Sequence, residues 1–396
     1  MKLRRWITGL AGALLLTAAG CGGGGGIGGT GTATGSMRVW MTDAPACGYD
    51  AVNVTVERVR VHSSSSADAD GGGWSEIVLD PPRRIDLLGL TNGALEELGT
   101  VELPAGTYQQ IRLVLAANDG STPPANSIVR SDTGEEIALT TPSAQQSGIK
   151  LKANVEVPEG KVLDVVLDFD ACRSVVKRGN SGQYNLKPVI AVIPLLSDPG
   201  LRVVGYVDAG IASTSTAVSL QASGVPVKAT VPDANGRFVL RPVPAGIYDL
   251  VVTAPGRATA VMTGVTVVAA EPTTVSTPTF PIAPAAAASA PVPVSGSVQP
   301  ADSTVRVLQT LGGGPTVEIG FLPVDAVSGL FSTALTAAAP LRTAYAGPPT
   351  AAIVFAADAS AAGLYTVEAR SAAGAVLTTD VDVNVVPVPP VEFVFP

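Results

Sequence analysis

The sequence is poor in the residue types on which most metal-site and acid–base chemistry depends. Its 396 residues include one histidine and three cysteines. These counts exclude multi-histidine metal sites and zinc ribbons, and they leave few groups that titrate near neutral pH. Charged residues make up only 15% of the chain and aromatic residues 5%, and the formal net charge is −8. A chain this acidic is not expected to bind nucleic acid, whose phosphates require a basic surface.

Long apolar runs are also absent from most of the sequence. Beyond Cys21 no run reaches the roughly 18 residues that a membrane-spanning helix needs. At the start of the chain, three basic residues precede an apolar segment over residues 7–19. A basic start followed by an apolar segment of about 7–15 residues is typical of a secretory signal peptide. We therefore predict that residues 1–20 are a signal peptide.

The end of this leader, Leu16-Thr17-Ala18-Ala19-Gly20-Cys21, resembles a bacterial lipobox, in which cleavage exposes a cysteine that becomes lipid-modified. The resemblance implies that Cys21 carries the lipid anchor, and Gly22 after it resembles lipoproteins sent to the outer membrane. Residues 21–36 are almost all Gly, Thr, Ala and Ser. Such a composition cannot form a core, so we expect a flexible tether there. The alternative is an ordinary secretory signal with an unrelated cysteine.

Short, valine-rich alternating segments separated by turn-forming residues recur along the rest of the chain. This pattern predicts an all-β protein of tandem antiparallel β-sandwiches, Ig-like or transthyretin-like in form. Two linker-like stretches, residues 197–200 and 281–293, divide the sequence. The predicted domains therefore cover residues 37–198, 199–282 and 294–396, with a Pro/Ala linker over residues 283–293.

The middle and last units share an ordered set of motifs. In the middle unit, Val204-Gly205-Tyr206-Val207 is followed by an Asp-Ala-Asn-Gly-Arg-Phe turn (233–238) and a Pro-Ala-Gly-Ile-Tyr turn (244–248). The last unit has similar segments at 294–298, 325–331 and 362–365, with a longer gap before the final one. We therefore predict two related sandwiches, the last with an insertion around residues 336–352.

These motifs, followed by Ala254-Pro255-Gly256, make residues 202–270 closely similar to carboxypeptidase regulatory-like (transthyretin-like) domains. The resemblance implies a small seven-stranded sandwich. It also implies a rigid appendage, spacer or binding module that carries no catalysis of its own.

The N-terminal unit resembles a bacterial lipoprotein domain known as domain of unknown function 4382. The resemblance covers about residues 37–195 and implies an exported, β-rich, lipid-anchored protein, with no activity to transfer. Within this unit, the alternation over residues 52–61 slips by one between Val56 and Val59, which predicts a β-bulge. The segments that carry the resemblance are Met41-Thr42-Asp43-Ala44-Pro45, Ile85-Asp86-Leu87-Leu88, Gly106-Thr107-Tyr108-Gln109-Gln110-Ile111-Arg112-Leu113, Leu167-Asp168-Phe169-Asp170-Ala171 and Leu186-Lys187-Pro188-Val189.

The two remaining cysteines, Cys47 and Cys172, belong to this unit. In an oxidising compartment two thiols are most simply one disulfide. In the chain-entropy model a bridge over this separation would stabilise the fold by about 4–5 kcal/mol. It would also bring residues 43–47 close to residues 168–172. Two separate buried thiols are the alternative.

Carboxylates near those cysteines are the strongest candidates for chemistry. Asp43, Asp168 and Asp170 could bind a hard cation such as calcium, or could act as a paired acid and base. Against this, Asp164, Asp168 and Asp170 share the polar face of an alternating strand, where solvated carboxylates are ordinary. We therefore predict a solvent-facing or turn-capping role and assign no metal site.

The single histidine and the two tryptophans beyond the leader also invite functional interpretations. His62 stands beside four serines, but no Gly-x-Ser-x-Gly segment occurs, so we predict an edge-strand histidine without a catalytic role. Trp40 and Trp74 could stack on a sugar, but we predict that both pack in the core.

The leading hypothesis is a non-enzymatic, lipid-anchored protein of the bacterial outer membrane whose sandwiches form a binding or structural module. It assigns no catalytic residue and no cofactor. The expected partners are the membrane, through Cys21, and an envelope protein or a carbohydrate, with no nucleic acid. The alternatives are a carboxylate-based enzyme using Asp43, Asp168 or Asp170, and a purely mechanical spacer.

Overall fold

The computed structural model describes residues 33–43, 48–141, 147–195 and 200–396. The predicted signal peptide, most of the predicted tether, Cys21 and Cys47 lie outside the described residues. Within the described ranges, no helix has the length and apolar character needed to cross a membrane.

The N-terminal domain is built of β-strands that bury their alternating valine and leucine side chains between two sheets. A single short helix, α1 (Ala171–Ser174), and one 3₁₀ turn (Leu87–Leu90) interrupt its described strands. These strands are β1 (Thr34–Asp43), β2 (Tyr49–His62), β3 (Ser75–Asp86), β4 (Glu96–Pro104), β5 (Gly106–Leu115), β6 (Ser127–Arg130), β7 (Glu136–Thr140), β8 (Ile149–Val157), β9 (Val162–Phe169), β10 (Val175–Lys177), β11 (Tyr184–Leu186) and β12 (Ile190–Leu195).

One sheet of this domain has the strand order β12-β9-β1-β4. The other has the order β10-β11-β7-β6-β2-β5-β8, with β3 also paired to β2. Most pairs are antiparallel, whereas β1 with β9 and β7 with β11 are parallel. Val39, Leu113 and Leu167 are examples of fully buried side chains in the core of this domain. The predicted all-β sandwich architecture is therefore confirmed.

The predicted irregularity in β2 is confirmed as well. The pairings of β2 with β3 and with β5 both shift register between Val56 and Arg58. Because side chains alternate between the two faces of a strand, one extra residue returns the later valines to the inner face. Val56 and Val59 are consequently both fully buried in the same core.

The N-terminal domain begins earlier than we predicted. Residues 34–36, which we assigned to the tether, are part of β1, and Thr34 pairs with Pro104 of β4. Gly35 is needed there because a Cβ atom would lie 2.2 Å from the carbonyl oxygen of Pro158. A glycine that allows close backbone approach looks the same in a sequence as a glycine that gives flexibility. The sequence alone therefore did not show that the N-terminal domain begins within this glycine-rich segment.

The middle sandwich covers residues 201–282 and has its own buried core. A 3₁₀ turn over Ala209–Ile211 follows its first strand. Its described strands are β13 (Val203–Tyr206), β14 (Ala217–Ala222), β15 (Val225–Thr230), β16 (Arg237–Leu240), β17 (Gly246–Thr253), β18 (Ala260–Val267) and β19 (Thr273–Thr274).

The last sandwich has a third core. A 3₁₀ turn over Ala359–Ala361 precedes one of its later strands. The strands described after residue 290 are β20 (Val292–Gln299), β21 (Thr304–Thr310), β22 (Thr316–Leu322), β23 (Leu330–Leu335), β24 (Leu341–Ala344), β25 (Ala356–Ala357), β26 (Leu364–Arg370), β27 (Val376–Asp382) and β28 (Val391–Val394).

The two sandwiches share one topology, which confirms the predicted repeat. The orders β16-β13-β19 and β15-β14-β17-β18 of the middle sandwich recur as β23-β20-β28 and β22-β21-β26-β27 in the last one. Glycines at equivalent positions allow a phenylalanine ring to approach the backbone closely in both sandwiches. A Cβ atom on Gly205 would lie 2.4 Å from Phe238 Cζ, and one on Gly296 would lie 2.5 Å from Phe331 Cζ. In each sandwich the core phenylalanine therefore packs on a glycine of the opposing strand.

The additional segment of the last unit does not stay with its own sandwich. Strand β24 pairs in parallel with β18 of the middle sandwich, from Ala260 opposite Leu341 to Thr263 opposite Ala344. Nearby, Phe355 packs against the middle core. The last unit thus extends a sheet of the middle one, and residues 33–396 form one compact unit.

The segment we predicted as a linker is partly held by the middle sandwich. Just before it, Ile282 is buried and forms a β-bridge with Val207. Within it, Ala286 forms a second bridge with Arg257. At its other end, β20 already begins at Val292. The first part of residues 283–293 therefore belongs to the packed structure.

Candidate functional site

The predicted carboxylates meet at one end of the N-terminal domain, around helix α1. Asp43 ends β1, is buried, and accepts a hydrogen bond of 2.9 Å from the backbone N–H of Ala171. Asp170 is the N-cap of the helix and accepts a hydrogen bond of 3.0 Å from the backbone N–H of Arg173. Burial raises the pKa of Asp170, although the nearby Arg173 opposes the shift. Both carboxylates therefore act as caps, as the turn-capping interpretation expects.

Asp168 has a different environment from the one we predicted. It forms an ion pair with Lys228 of β15, in the middle sandwich, and their side chains are only 11% and 2% exposed. The prediction of a solvated carboxylate is therefore wrong for Asp168. Alternation within one strand shows which face is polar, but it does not show that a second domain covers that face.

Asp164, on the same face of β9, is also engaged. It accepts hydrogen bonds of 2.6 Å from Arg38 Nε and 2.8 Å from Trp40 Nε1. The hydrogen bond from Arg38 lowers the pKa of the Asp164 carboxyl. The polar face of β9 thus carries carboxylates that each have a protein partner.

A series of charged side chains continues from α1 into the last sandwich. Arg173 pairs with Glu318 of β22, which in turn lies 3.3 Å from Arg306 Nη1. Arg306 then binds Glu368 through two hydrogen bonds of 2.8 and 3.1 Å. Glu318 and Glu368 are both buried. Because a buried charge is costly unless it is paired, these contacts hold the N-terminal domain and the last sandwich in register.

The middle sandwich joins this junction through Gln221 of β14. Its Nε2 donates a hydrogen bond of 2.7 Å to the carbonyl oxygen of Glu318. Its Oε1 accepts one of 2.8 Å from the backbone N–H of Glu318. Glu318 is therefore the residue at which all three domains meet.

Among the described residues, no group of three His, Cys, Asp or Glu side chains is arranged to hold a metal ion. A cavity of about 210 Å³ beside α1 is lined by Asp170 and Glu318, with Arg173 between them, and by neither Asp43 nor Asp168.

The predicted disulfide lies partly outside the described residues. Cys172 belongs to α1, and Cys47 falls in the stretch between Asp43 and Gly48 that the structure does not describe. The pairing stays a prediction.

His62 and Trp74 form a surface cluster instead of the arrangements we predicted. His62 ends β2, an internal strand paired with β3 and β5, so the edge-strand assignment is wrong. Its ring centroid lies 5.0 Å from that of Trp74. The guanidinium carbons of Arg60 and Arg112 lie 4.7 and 5.4 Å from the Trp74 ring centroid. Trp74 thus lies among basic side chains at the surface.

Trp40 is also outside the core. It is half-buried on the outer face of β1, with Arg38 5.0 Å from its ring centroid. The core-packing prediction is therefore wrong for both tryptophans, because each finds cationic neighbours and a hydrogen-bond acceptor for its indole N–H.

A cleft of about 870 Å³ lies between the N-terminal domain and the last sandwich. Its floor is the outward face of the sheet β23-β20-β28. Ser295 and Ser332 are cross-strand partners there, and Ser297 stands opposite both Leu330 and Glu392. These side chains all line the cleft. The floor is therefore a row of small hydroxyl groups beside one apolar and one acidic side chain.

The opposite wall comes from the N-terminal domain. Tyr49 and Tyr184 contact edge to face, with ring centroids 6.1 Å apart. Lys177, the last residue of β10, and Asn180, on the loop between β10 and β11, complete this wall. The backbone N–H of Ala326 donates a hydrogen bond of 2.9 Å to the carbonyl oxygen of Lys177, which closes one side of the cleft.

Many polar groups in this cleft have no hydrogen-bond or ion-pair partner among the described residues. In the part of the chain that the structure describes, their side chains make no hydrogen bond or ion pair. The groups are Lys177, Asn180, Tyr49, Tyr184, Ser295, Ser297, Ser332 and Glu392. None of them stood out in the sequence, because the cleft joins segments more than 100 residues apart and contains no compact motif.

The comparisons with known families agree with the two domain types that the sequence suggested. Residues 34–188 match the family model described as Domain of unknown function (DUF4382). Residues 202–279 match the Carboxypeptidase regulatory-like domain. Among curated proteins, none matches this chain.

Two solved structures show local similarity. Both are interface mutants, one N-terminal and one C-terminal, of a type II cohesin–X-dockerin complex from Acetivibrio cellulolyticus. Each is 27% identical over 22% of this chain and 59% of its own chain, with a TM-score of 0.19. The match thus spans about 59% of the solved chain, and at this TM-score it carries no argument. The two family matches do, and the chain therefore combines a domain of unknown function 4382 with a carboxypeptidase regulatory-like domain, in that order.

Proposed function

We propose that this protein is a lipid-anchored component of the bacterial cell envelope, at the outer membrane. Its three sandwiches act as one rigid, non-catalytic binding module. The observation that carries the binding role is the cleft between the N-terminal domain and the last sandwich, where eight polar side chains lack a hydrogen-bond or ion-pair partner among the described residues. The lipid anchor rests on the segment Leu16–Cys21, which resembles a lipobox.

Rigidity supports a binding role because the two walls of the cleft belong to different domains. A binding surface must keep its polar groups in place before the ligand arrives. The Arg173–Glu318 ion pair and the hydrogen bond from Ala326 to Lys177 both connect these two domains. The junction therefore sets the width of the cleft.

The engaged state of the carboxylates supports a non-catalytic role. An acid or base catalyst needs a carboxylate that can reach a substrate. Asp43 and Asp170 bind backbone N–H groups around α1, and Asp168 binds Lys228. Each candidate carboxylate thus takes part in a contact that stabilises the fold.

A purely mechanical spacer is the second candidate, since the buried ion pairs alone would suit a stiff rod. The cleft separates the two hypotheses, because a spacer has no need for unpartnered polar groups in a concave surface.

The anchor is tested by labelling cells that express the protein with radioactive palmitate. We expect label in the wild type and none in Cys21→Ser, which should also leave the membrane fraction. Label in the variant, or membrane association without Cys21, would overturn the anchor.

The binding role is tested by capture from envelope extract with the full-length protein in detergent. We expect at least one envelope component to be captured by the wild type and lost with Ser297→Trp, which fills the cleft floor. Ser65→Trp, at an exposed serine that does not line the cleft, is the matched control. Capture that is equal for all three proteins contradicts the cleft as the binding surface and favours the spacer.

A further inference from the structure

We infer that the cleft between the N-terminal domain and the last sandwich binds a neutral oligosaccharide. This inference rests on the proposed binding function and deepens it by naming the class of ligand. It follows from the chemistry of the cleft floor, the charges that line the cleft, and the pairing of the strands beneath it.

The floor presents hydroxyl groups in a regular array. Ser295 and Ser332 face each other across β20 and β23, and Ser297 follows two residues along the same face. Directly opposed side chains in an antiparallel pair have Cβ atoms about 4.5–5.5 Å apart. Each serine hydroxyl can donate one hydrogen bond and accept two. Such short side chains let a ligand approach the sheet closely, and they match the alternating donors and acceptors of a sugar's hydroxyls.

The walls add larger surfaces with hydroxyl or amide groups. Tyr49 and Tyr184 bring two phenol groups, and Asn180 brings an amide that can both donate and accept. Burial raises the pKa of Tyr49, so its hydroxyl keeps its proton and can donate at neutral pH. Leu330, 59% exposed, offers an apolar surface for the C–H groups of a sugar ring.

The charges that line the cleft favour a neutral ligand over an anionic one. Lys177 and Glu392 are of opposite sign, and each lacks an ion-pair partner among the described residues. Asp325 also lines the cleft, so the three charges sum to −1 and leave no excess of positive charge for a phosphorylated or strongly acidic polymer. Lys177 and Glu392 can each still form a charge-assisted hydrogen bond with a neutral hydroxyl group.

An extended peptide fits this surface less well. Peptides that add to a sheet use its unpaired edge, where backbone N–H and C=O groups are free. The centre of the cleft floor is β20, which is paired with β23 on one side and β28 on the other. At this central strand the floor therefore offers side-chain hydroxyls in place of backbone groups.

The test is calorimetric titration of the full-length protein, kept in a detergent without a sugar head group. The probes are neutral hexasaccharides of glucose, mannose, xylose and N-acetylglucosamine. We expect at least one hexasaccharide to bind, and Ser297→Leu to weaken it at least tenfold. Ser295→Ala, which removes one hydroxyl without filling space, should weaken it less. Ser65→Leu is the control and should bind as the wild type does.

The outcomes separate this inference from the proposed function. If no hexasaccharide binds but envelope capture still depends on Ser297, the oligosaccharide inference is wrong and the proposed binding function stands. Hexasaccharide binding that is unchanged by both Ser297→Leu and Ser295→Ala, in variants with wild-type melting temperatures, overturns the cleft as its site. Envelope capture that is insensitive to the cleft overturns the proposed binding surface itself.

Discussion

Lys228 of the middle sandwich forms an ion pair with Asp168 of the N-terminal domain, and both side chains are almost fully removed from solvent. Two domains that each have their own hydrophobic core are thus joined through a buried pair of charges. Such a pair is costly to form but also costly to break, since removing one partner leaves the other charge buried alone. Loss of either partner is therefore expected to destabilise the junction between the two domains.

We predict that Lys228→Met lowers the free energy of unfolding by about 3–5 kcal/mol, because it leaves the Asp168 carboxylate without its counter-charge. Urea unfolding monitored by tryptophan fluorescence measures this. Lys150→Met, at an exposed lysine of β8 without an ion pair among the described residues, should change stability by less than about 0.5 kcal/mol.

The double variant Lys228→Met with Asp168→Leu should regain most of that loss, because neither side chain is then charged. If the double variant is as unstable as Lys228→Met alone, the cost comes from lost packing and the ion pair is not its cause.

A tyrosine hydrogen bond recurs in two domains and gives a second prediction. Tyr248 donates a hydrogen bond of 2.9 Å to the carbonyl oxygen of Pro244, as Tyr108 does to Pro104. We expect Tyr248→Phe to cost about 1 kcal/mol in thermal or urea unfolding, since the proline carbonyl loses its partner. Tyr206→Phe is the control, because the half-buried Tyr206 side chain makes no hydrogen bond among the described residues. Equal losses in both variants would contradict a role for the hydrogen bond.

The burial of Asp170 predicts a dependence of stability on pH. Because its pKa is raised in the folded state, the folded protein binds the proton more tightly than the unfolded chain does. The contribution of this group to the free energy of unfolding should therefore increase as the pH falls from above the raised pKa toward about 3.9, its ordinary value. Asp170→Asn should remove this contribution and be more stable than the wild type at pH 8, since an asparagine can still cap α1.

Urea unfolding of both proteins between pH 4.5 and 8 measures the effect. A wild-type profile that stays parallel to that of Asp170→Asn throughout would show that Asp170 does not titrate differently on folding.

The two cysteines of the N-terminal domain give a prediction about a disulfide bond. We expect mass spectrometry of a non-reducing digest to contain one peptide pair linked through Cys47 and Cys172, because the protein is proposed to reside in an oxidising compartment. Alkylation of both thiols without prior reduction would show that the bridge is absent.

The sequence predicted those parts of the fold that depend on local alternation and turn chemistry. The bulge in β2 followed from the spacing of Val56 and Val59, and the shared topology of two sandwiches followed from their turn motifs. Both signals lie within short stretches of chain, where side-chain period and glycine position determine the structure.

The sequence could not predict the contacts between domains. Lys228 and Asp168 are 60 residues apart, and nothing near either residue distinguishes a buried partner from a solvated charge. The cleft could not be predicted for the same reason, since serines on an outward sheet face are common and this face becomes concave only through a wall from another domain. The core-packing predictions for Trp40 and Trp74 were wrong for a related reason. Hydrophobic character alone does not show that an indole N–H donates a hydrogen bond to an acceptor at the surface.

The sharing of a sheet between the middle and last sandwiches also affects how the chain is made. Strand β18 is synthesised before β24, and its outer edge can pair with β24 only after Leu341 has emerged. An open strand edge is a template for pairing with other chains. During synthesis the middle sandwich is therefore exposed to aggregation until its neighbour arrives, and a gene truncated before Leu341 would leave it in that state permanently.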